Sequence, residues 1–395
     1  MTQTLPYQLW DADNHYYETR DCFSRHIERK YADQAIRPKV LDDGTEVLYM
    51  GDRRLRFPVV KFDGCEPPGA LMEILRNPNL TNFAEARSSE NMLAAFIERG
   101  PRLELMDEQN VEAAFLLPTA GVGWQQEIED DIPALYANLR SFNRWIEDQW
   151  GYGADGRIFG VPAMSLADVD EAITELDRLL SAGAKALYMR PGPAGASRSP
   201  AHTDFDPFWQ RVNEADLPVA LHLSAGLNDM SAAWGEDPTP NARTVSAMQW
   251  AFFMGDGPIM QTLASLVYNN FFERFPRIRV LSIENGTRWL PYFLKQLDKG
   301  AKMGRFGPWP NGKPQDRPST IVRERVWITP FPEEPVEIAL TSMGEDRVLL
   351  GSDFPHPEGV ASPVDFVDNL AAVSDETRRK VLRDNLRSVL GVDTK

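Results

Sequence analysis

The chain is predicted to be an α/β protein, a (β/α)8 TIM barrel with an insertion after its first strand and a long helical segment after its fifth. Three observations predict this. From Glu90 onward, strand-length apolar runs alternate with amphipathic runs of helix length. The strand-like runs are apolar throughout, as expected when both faces are covered. With the opening strand there are eight strand–helix units, the number that closes such a barrel. A doubly wound open sheet competes, but no glycine-rich phosphate loop follows the first strand.

The opening strand, Leu9 to His15, leads into a helical segment over 21–32. Residues 36–60 alternate apolar and polar side chains around Asp43-Gly44 and Gly51-Asp52, which predicts small antiparallel strands. Residues 61–88, rich in Pro, Gly and Asn, read as a long loop, so 36–88 is an insertion within a single domain over 1–395. Helices are then expected at 90–108, 131–150, 168–181 and 208–215. They precede strands at 111–117, 157–164, 184–189 and 218–223. Residues 226–276 combine a loop with the apolar helix TLASLVYNNFFERF before a strand at 278–283. A helix at 287–301, a strand at 325–328, a helix at 334–343 and a strand at 347–350 follow. Helices at 363–371 and 375–390 close the chain, the second behind a Ser374-Asp375 cap.

Composition narrows the function classes. A formal charge of -16 argues against nucleic acid or an anionic membrane as partner. Cys22 and Cys65 are the only cysteines, too few for a disulfide framework or a thiolate cluster, which points to a reduced compartment. Without a secretory signal or an apolar run of membrane-spanning length, the expected location is cytoplasmic. The expected partners are a small-molecule substrate and other subunits, in a homo- or hetero-oligomer.

Barrel active sites form at the carboxyl ends of the strands. Asp11, Asp13 and His15 alternate along the first strand, so they can share a face, although Asp-Asn-His also suits a surface turn. The other strand ends carry Arg190, His222, Glu284 and Asp353, with His356 just beyond. Two of the five histidines thus fall at strand ends and a third just beyond one, which favours a divalent metal held by imidazoles and carboxylates. Each residue also has a plainer role open to it. His222 can be a core histidine, Asp353 a helix cap, and His356 part of a rigid Phe-Pro-His-Pro turn. Glu284 can orient a ligand histidine, Arg190 can tie a loop to the barrel, and Glu18 can be a helix N-terminal acid. Trp234, Trp250, Phe252 and Phe253 either wall a pocket or pack helices and subunits.

Asp11-x-Asp13-x-His15, the lone His222, Glu284-Asn285-Gly286 with Trp289-Leu290-Pro291, and Gly351-Ser352-Asp353-Phe354-Pro355-His356 together resemble the amidohydrolase-related family. That family includes non-oxidative decarboxylases of aminocarboxymuconate semialdehyde and hydroxybenzoates, and several hydrolases. The resemblance implies Asp13, His15, His222 and Asp353 as metal ligands, with Asp353 also accepting a proton from activated water. The chain departs from the decarboxylase pattern at Glu284, where those enzymes carry a histidine. A carboxylate there can ligate and bridge two ions, making Asp13, His15, His222, Glu284, Asp353 and His356 a candidate dinuclear set, with Glu18 near enough in sequence to join.

The leading expectation is a metal-dependent enzyme that hydrolyses, or non-oxidatively decarboxylates, a small organic acid or amide. It would use zinc, iron or manganese, as one or two ions, with Arg190 orienting the substrate. The alternative is a dinuclear iron or manganese oxygenase with Glu284 as bridging carboxylate, which would need an electron-donor protein. A non-catalytic partner subunit is the third possibility, and the intact ligand positions count against it.

Overall fold

The computed structural model describes residues 5–42, 44, 46–55, 62, 64–77, 79–80, 93–195, 198–223, 233–237, 245–252 and 256–392. The chain is mixed α/β, with short parallel strands between helices. Strand β1 (Leu9–Tyr16) is wholly buried and pairs in parallel with β5 (Val111–Pro118), which pairs with β6 (Ile158–Gly160). A second parallel sheet runs β7 (Leu187–Met189), β8 (Val219–His222), β9 (Val280–Ile283) and β10 (Val326–Ile328). Single parallel bridges connect Ala163 with Tyr188, Ile328 with Val348, and Asn14 with Phe354. The expected strand at 157–164 stops early because Pro162 has no N–H for the ladder. Its carbonyl still accepts from Tyr188 N at 2.8 Å. No regular strand forms at 347–350, where Leu349 N donates to Ile328 O and Ala12 N donates to Leu350 O.

Between β1 and β5 lies an antiparallel sheet of β2 (Ile36–Val40), β3 (Glu46–Met50) and β4 (Arg53–Arg54), matching the alternation in the sequence. The loop expected over 61–88 contains helix α1 (Ala70–Arg76). Residues 43, 45, 56–61, 63, 78 and 81–88 of the insertion lie outside the described residues. Gly69 N donates to His356 O at 3.2 Å and Leu71 N to Pro357 O at 2.8 Å, so the start of α1 docks on the loop after Asp353.

The helix expected at 21–32 is replaced by turns and a 3-10 segment, Arg29–Gln34. Local bonds win there: Thr19 Oγ1 donates to Asp21, and Ser24 N caps back to the Asp21 carbonyl. The expected 90–108 helix is two, α2 (Ala94–Ile97) and α3 (Arg99–Glu108), broken at extended Glu98. Pro101 suits the first turn of α3, where a missing N–H costs nothing. Helices α4 (Ile132–Gln149) and α5 (Val169–Ser181) begin where Asp131 and Asp168 accept backbone N–H bonds. Next come α6 (Asp206–Glu214), α7 (Ala247–Phe252), α8 (Asp256–Tyr268) and α9 (Phe271–Arg274). α10 (Leu290–Met303) precedes an unforeseen α11 (Pro318–Arg325), and α12 (Val336–Met343) follows β10. The segment at 363–370 is a 3-10 helix, and a π turn at 380–384 interrupts the last helical stretch. No helix among the described residues is long and apolar enough to cross a membrane.

Candidate functional site

Strand β1 delivers two sets of side chains. His15 and Asp13 meet residues from three other strand ends, while Asp11 turns toward Ser352. His15 Nε2 lies 3.2 Å from Asp13 Oδ1, 3.4 Å from Asp353 Oδ1 and 3.3 Å from His222 Nε2. His222 Nε2 lies 3.6 Å from Asp13 Oδ1 and 3.1 Å from Glu284 Oε2. All five side chains are buried. Asp13, His15, His222, Glu284, Asp353 and His356, separated by up to 343 positions in sequence, therefore share one pocket.

The histidine tautomers decide what the pocket can hold. His15 Nδ1 donates to Pro118 O at 3.1 Å, and His222 Nδ1 donates to Leu223 O at 2.8 Å. His15 then presents a bare Nε2, since burial and the nearby His356 pull it down to about 3 and keep it neutral. The Nε2 atoms of the two rings thus face each other and the oxygens of Asp13, Asp353 and Glu284. Burial opposes ionisation of Asp13, and hydrogen bonds to His15 and His222 together with their charge are what hold its carboxyl below the ordinary range. A neutral His15 has no Nε2–H to give. A divalent cation supplies the missing positive charge, and nitrogen–oxygen donor sets of this kind suit one. The donors present therefore fit a metal.

The acids reinforce this. Burial and then Asp353 push Glu284 well above the usual carboxylate range, and burial and then Glu358 do the same to Asp353. Both residues adopt left-handed backbone, at φ 55° for Glu284 and 51° for Asp353. Such conformations cost about 1–3 kcal/mol each and cluster at functional sites. Room is made by Gly351, where a Cβ would sit 2.6 Å from the Thr329 Cβ.

His356 is engaged at both nitrogens. Nδ1 lies 2.7 Å from Asp353 Oδ1, and Nε2 lies 2.8 Å from Thr119 Oγ1. The Thr119 hydroxyl donates to Tyr16 O at 2.6 Å, so it accepts from His356 Nε2–H. Glu18 is not free either: its oxygens accept from the backbone N–H groups of Thr119, Ala120 and Gly121 at 2.9–3.1 Å. It anchors the loop that carries Thr119. Asp11 accepts four donors: Asp13 N, Asn14 Nδ2, Ser352 N and Ser352 Oγ. Burial pushes it up to about 7 against their pull.

Arg190 is not brought to this cluster. It pairs with Glu129 at 3.3 Å and lines a small separate cavity with Gln125, Met189 and Thr262. Trp234 and Trp250 are exposed. Phe253 lies outside the described residues, as does the Phe252 side chain. Two residues escaped the sequence reading. Glu358 places a carboxylate oxygen within 4.8 Å of Glu284 and Asp353, and its position five residues past Asp353 is the signal that was there to follow. Thr119 follows the second strand of the alternation, whose end carries no acid or histidine to draw notice.

Residues 94–392 match the family model described as amidohydrolase. An amidohydrolase structure from Mycobacterium avium subsp. paratuberculosis is 34% identical with TM-score 0.86, covering 98% of this chain and 100% of that one. A gamma-resorcylate decarboxylase from a Rhizobium species is 26% identical over 300 residues, 74% of this chain and 86% of its own. The match to decarboxylase orsB of Emericella nidulans, also 26% identical, spans half of this chain and only 59% of that relative. A 5-carboxyvanillate decarboxylase from Novosphingobium aromaticivorans, complexed with manganese and 4-hydroxy-3-methoxy-5-nitrobenzoic acid, shares the fold at 18% identity. Its TM-score is 0.64, with 98% and 96% of the two chains covered. The chain belongs to the amidohydrolase family and is an enzyme.

Proposed function

We propose that this enzyme is metal-dependent and decarboxylates a small organic acid without an oxidant. The observation that carries the metal is the facing pair of imidazole nitrogens, His15 Nε2 and His222 Nε2, ringed by acids. The decarboxylase relatives, one complexed with manganese, favour that chemistry over others. We read the fold as a single-domain closed (β/α)8 barrel with an insertion over 36–88. The two parallel sheets support closure, as do the bridge from Ala163 to Tyr188 between them and those from Ile328 and Asn14 to Val348 and Phe354. Two cysteines, too few for a disulfide framework, fit a cytoplasmic setting.

Asp13, His15, His222 and Asp353 would hold one divalent ion, with Glu284 beside it. Bound there, it would withdraw electron density from a substrate carboxylate or carbonyl. The chain's own residues manage the proton. Thr119 fixes His356 with hydrogen on Nε2, so one proton is left between His356 Nδ1 and Asp353 Oδ1. Decarboxylation needs one proton delivered to the carbon that loses carbon dioxide, and this pair can hold it. With both His356 nitrogens engaged, a second ion would lack its imidazole, so we propose one ion. Hydrolysis is the second reading, favoured by Glu284, whose carboxylate can accept a proton from water. No relative named above is an oxygenase, and that alternative is not taken further.

The test is turnover of the protein stripped of metal and reloaded with manganese or zinc. Hydroxybenzoates, amides and esters are offered, and carbon dioxide release is followed. Metal-dependent carbon dioxide release supports the proposal. Turnover of amides or esters alone would replace it with hydrolysis.

A further inference from the structure

Asp13 and His15 come from β1 and Asp353 from the far end of the chain, yet their donor atoms must meet within a few tenths of an ångström. Asp353 N donates to Asp13 O and His15 N to Phe354 O, both at 2.7 Å, so the two segments are in register. A second, side-chain layer lies behind them. The Asp11 carboxyl takes Asp13 N at 3.2 Å from one segment and Ser352 N at 3.1 Å from the other. Ser352 Oγ also donates to Asp11 and accepts from Phe354 N at 3.1 Å. Asn14 Nδ2 donates to Asp11 at 2.9 Å, while Asn14 Oδ1 accepts from Arg102 Nη1 at 2.7 Å. Arg102 also grips the carbonyls of His15 and Ala95. Asp11, Asn14, Ser352 and Arg102 are at most 2% exposed.

A buried charge network of this kind is a poor way to gain stability, because packed apolar side chains do as well or better. Its partners instead include the backbone of two candidate ligands, Asp13 N and His15 O, and of Ser352 and Phe354 on either side of a third, Asp353. We propose that Asp11 and Arg102, coupled through Asn14 and Ser352, are positioning residues that preset the two halves of the cation site. This rests on the metal reading above.

The test is manganese binding to the metal-stripped full-length protein, measured by calorimetry alongside thermal unfolding of the metal-free form. Asp11→Asn keeps the shape but removes an acceptor, and its Kd for manganese is expected to rise by about tenfold or more. Ser352→Ala moves it in the same direction by a smaller factor, and decides the matter should Asp11→Asn fail to fold. The double variant Asp11→Asn/Asn14→Asp moves the acid beside Arg102 and restores donor–acceptor matching. Its Kd is expected to return to within about threefold of the wild type. Variants that bind within about twofold of wild type overturn the proposal, whatever happens to unfolding. So does a double variant as weak as Asp11→Asn, since the loss then follows damaged packing. A wild type that binds no manganese or zinc overturns the metal reading itself.

Discussion

His222 has one ring nitrogen on its neighbour's carbonyl and the other 3.1 Å from Glu284 and 3.3 Å from His15. Replacing it with alanine removes a donor that nothing else in the pocket replaces, so His222→Ala is expected to be purified with almost no metal. Thr119→Val is expected to behave differently. It retains metal but frees the His356 ring to flip or change tautomer, so kcat falls by about 10²-fold, the low end of a general-acid contribution. Equal kcat in Thr119→Val and wild type would remove His356 from the proton path. At this scale the sequence was readable wherever a residue's type is rare. Three histidines at or just beyond strand ends could be picked from five in all. Thr119 and Arg102 were opaque because their roles depend on who accepts and who donates, which spacing does not reveal; Asp11 could be placed beside the site, but not its four donors.

Among elements, the helices were legible where an acid caps them, as at Asp131 and Asp168, and the strands where both faces are apolar. Interruptions were not. Helix α1 sits in a stretch whose Pro, Gly and Asn content reads as loop, and its support is tertiary, from the His356 and Pro357 carbonyls. Gly69 makes that docking possible at φ 74°, with Ala361 N only 2.7 Å from where a Cβ would stand. Gly69→Ala is therefore expected to destabilise the protein by more than about 1 kcal/mol, measured by denaturant unfolding. An unchanged midpoint would show that α1 is not tied down there.

The Glu18 anchor gives a pH signature. Burial raises its carboxyl from 4.5 to about 7, against the three backbone N–H groups that pull it down. The folded form then holds a proton that the unfolded chain releases near 4.5. This contribution to stability is complete below pH 4.5 and is lost as pH rises through about 7. Glu18→Gln cannot ionise, so its stability is expected to vary less between pH 5 and 8 than the wild type's. Parallel profiles would contradict this.

Across the whole molecule, the acids explain why a cation is needed. A chain of charge -16 gathers Asp13, Glu284, Asp353 and Glu358 at one pocket. Arg190, expected from the sequence to orient the substrate, pairs with Glu129 instead and brings no positive charge to them. The α/β alternation could be anticipated because segment lengths repeat along the chain, whereas the docking of α1 on the loop after Asp353 could not, being set by contacts distant in sequence. The most direct test is elemental analysis of protein purified without added metal, beside Asp13→Ala and His222→Ala. The account predicts close to one manganese, zinc or iron per wild-type chain and almost none in either variant. Wild-type protein without metal, or variants that keep a full complement, would contradict it.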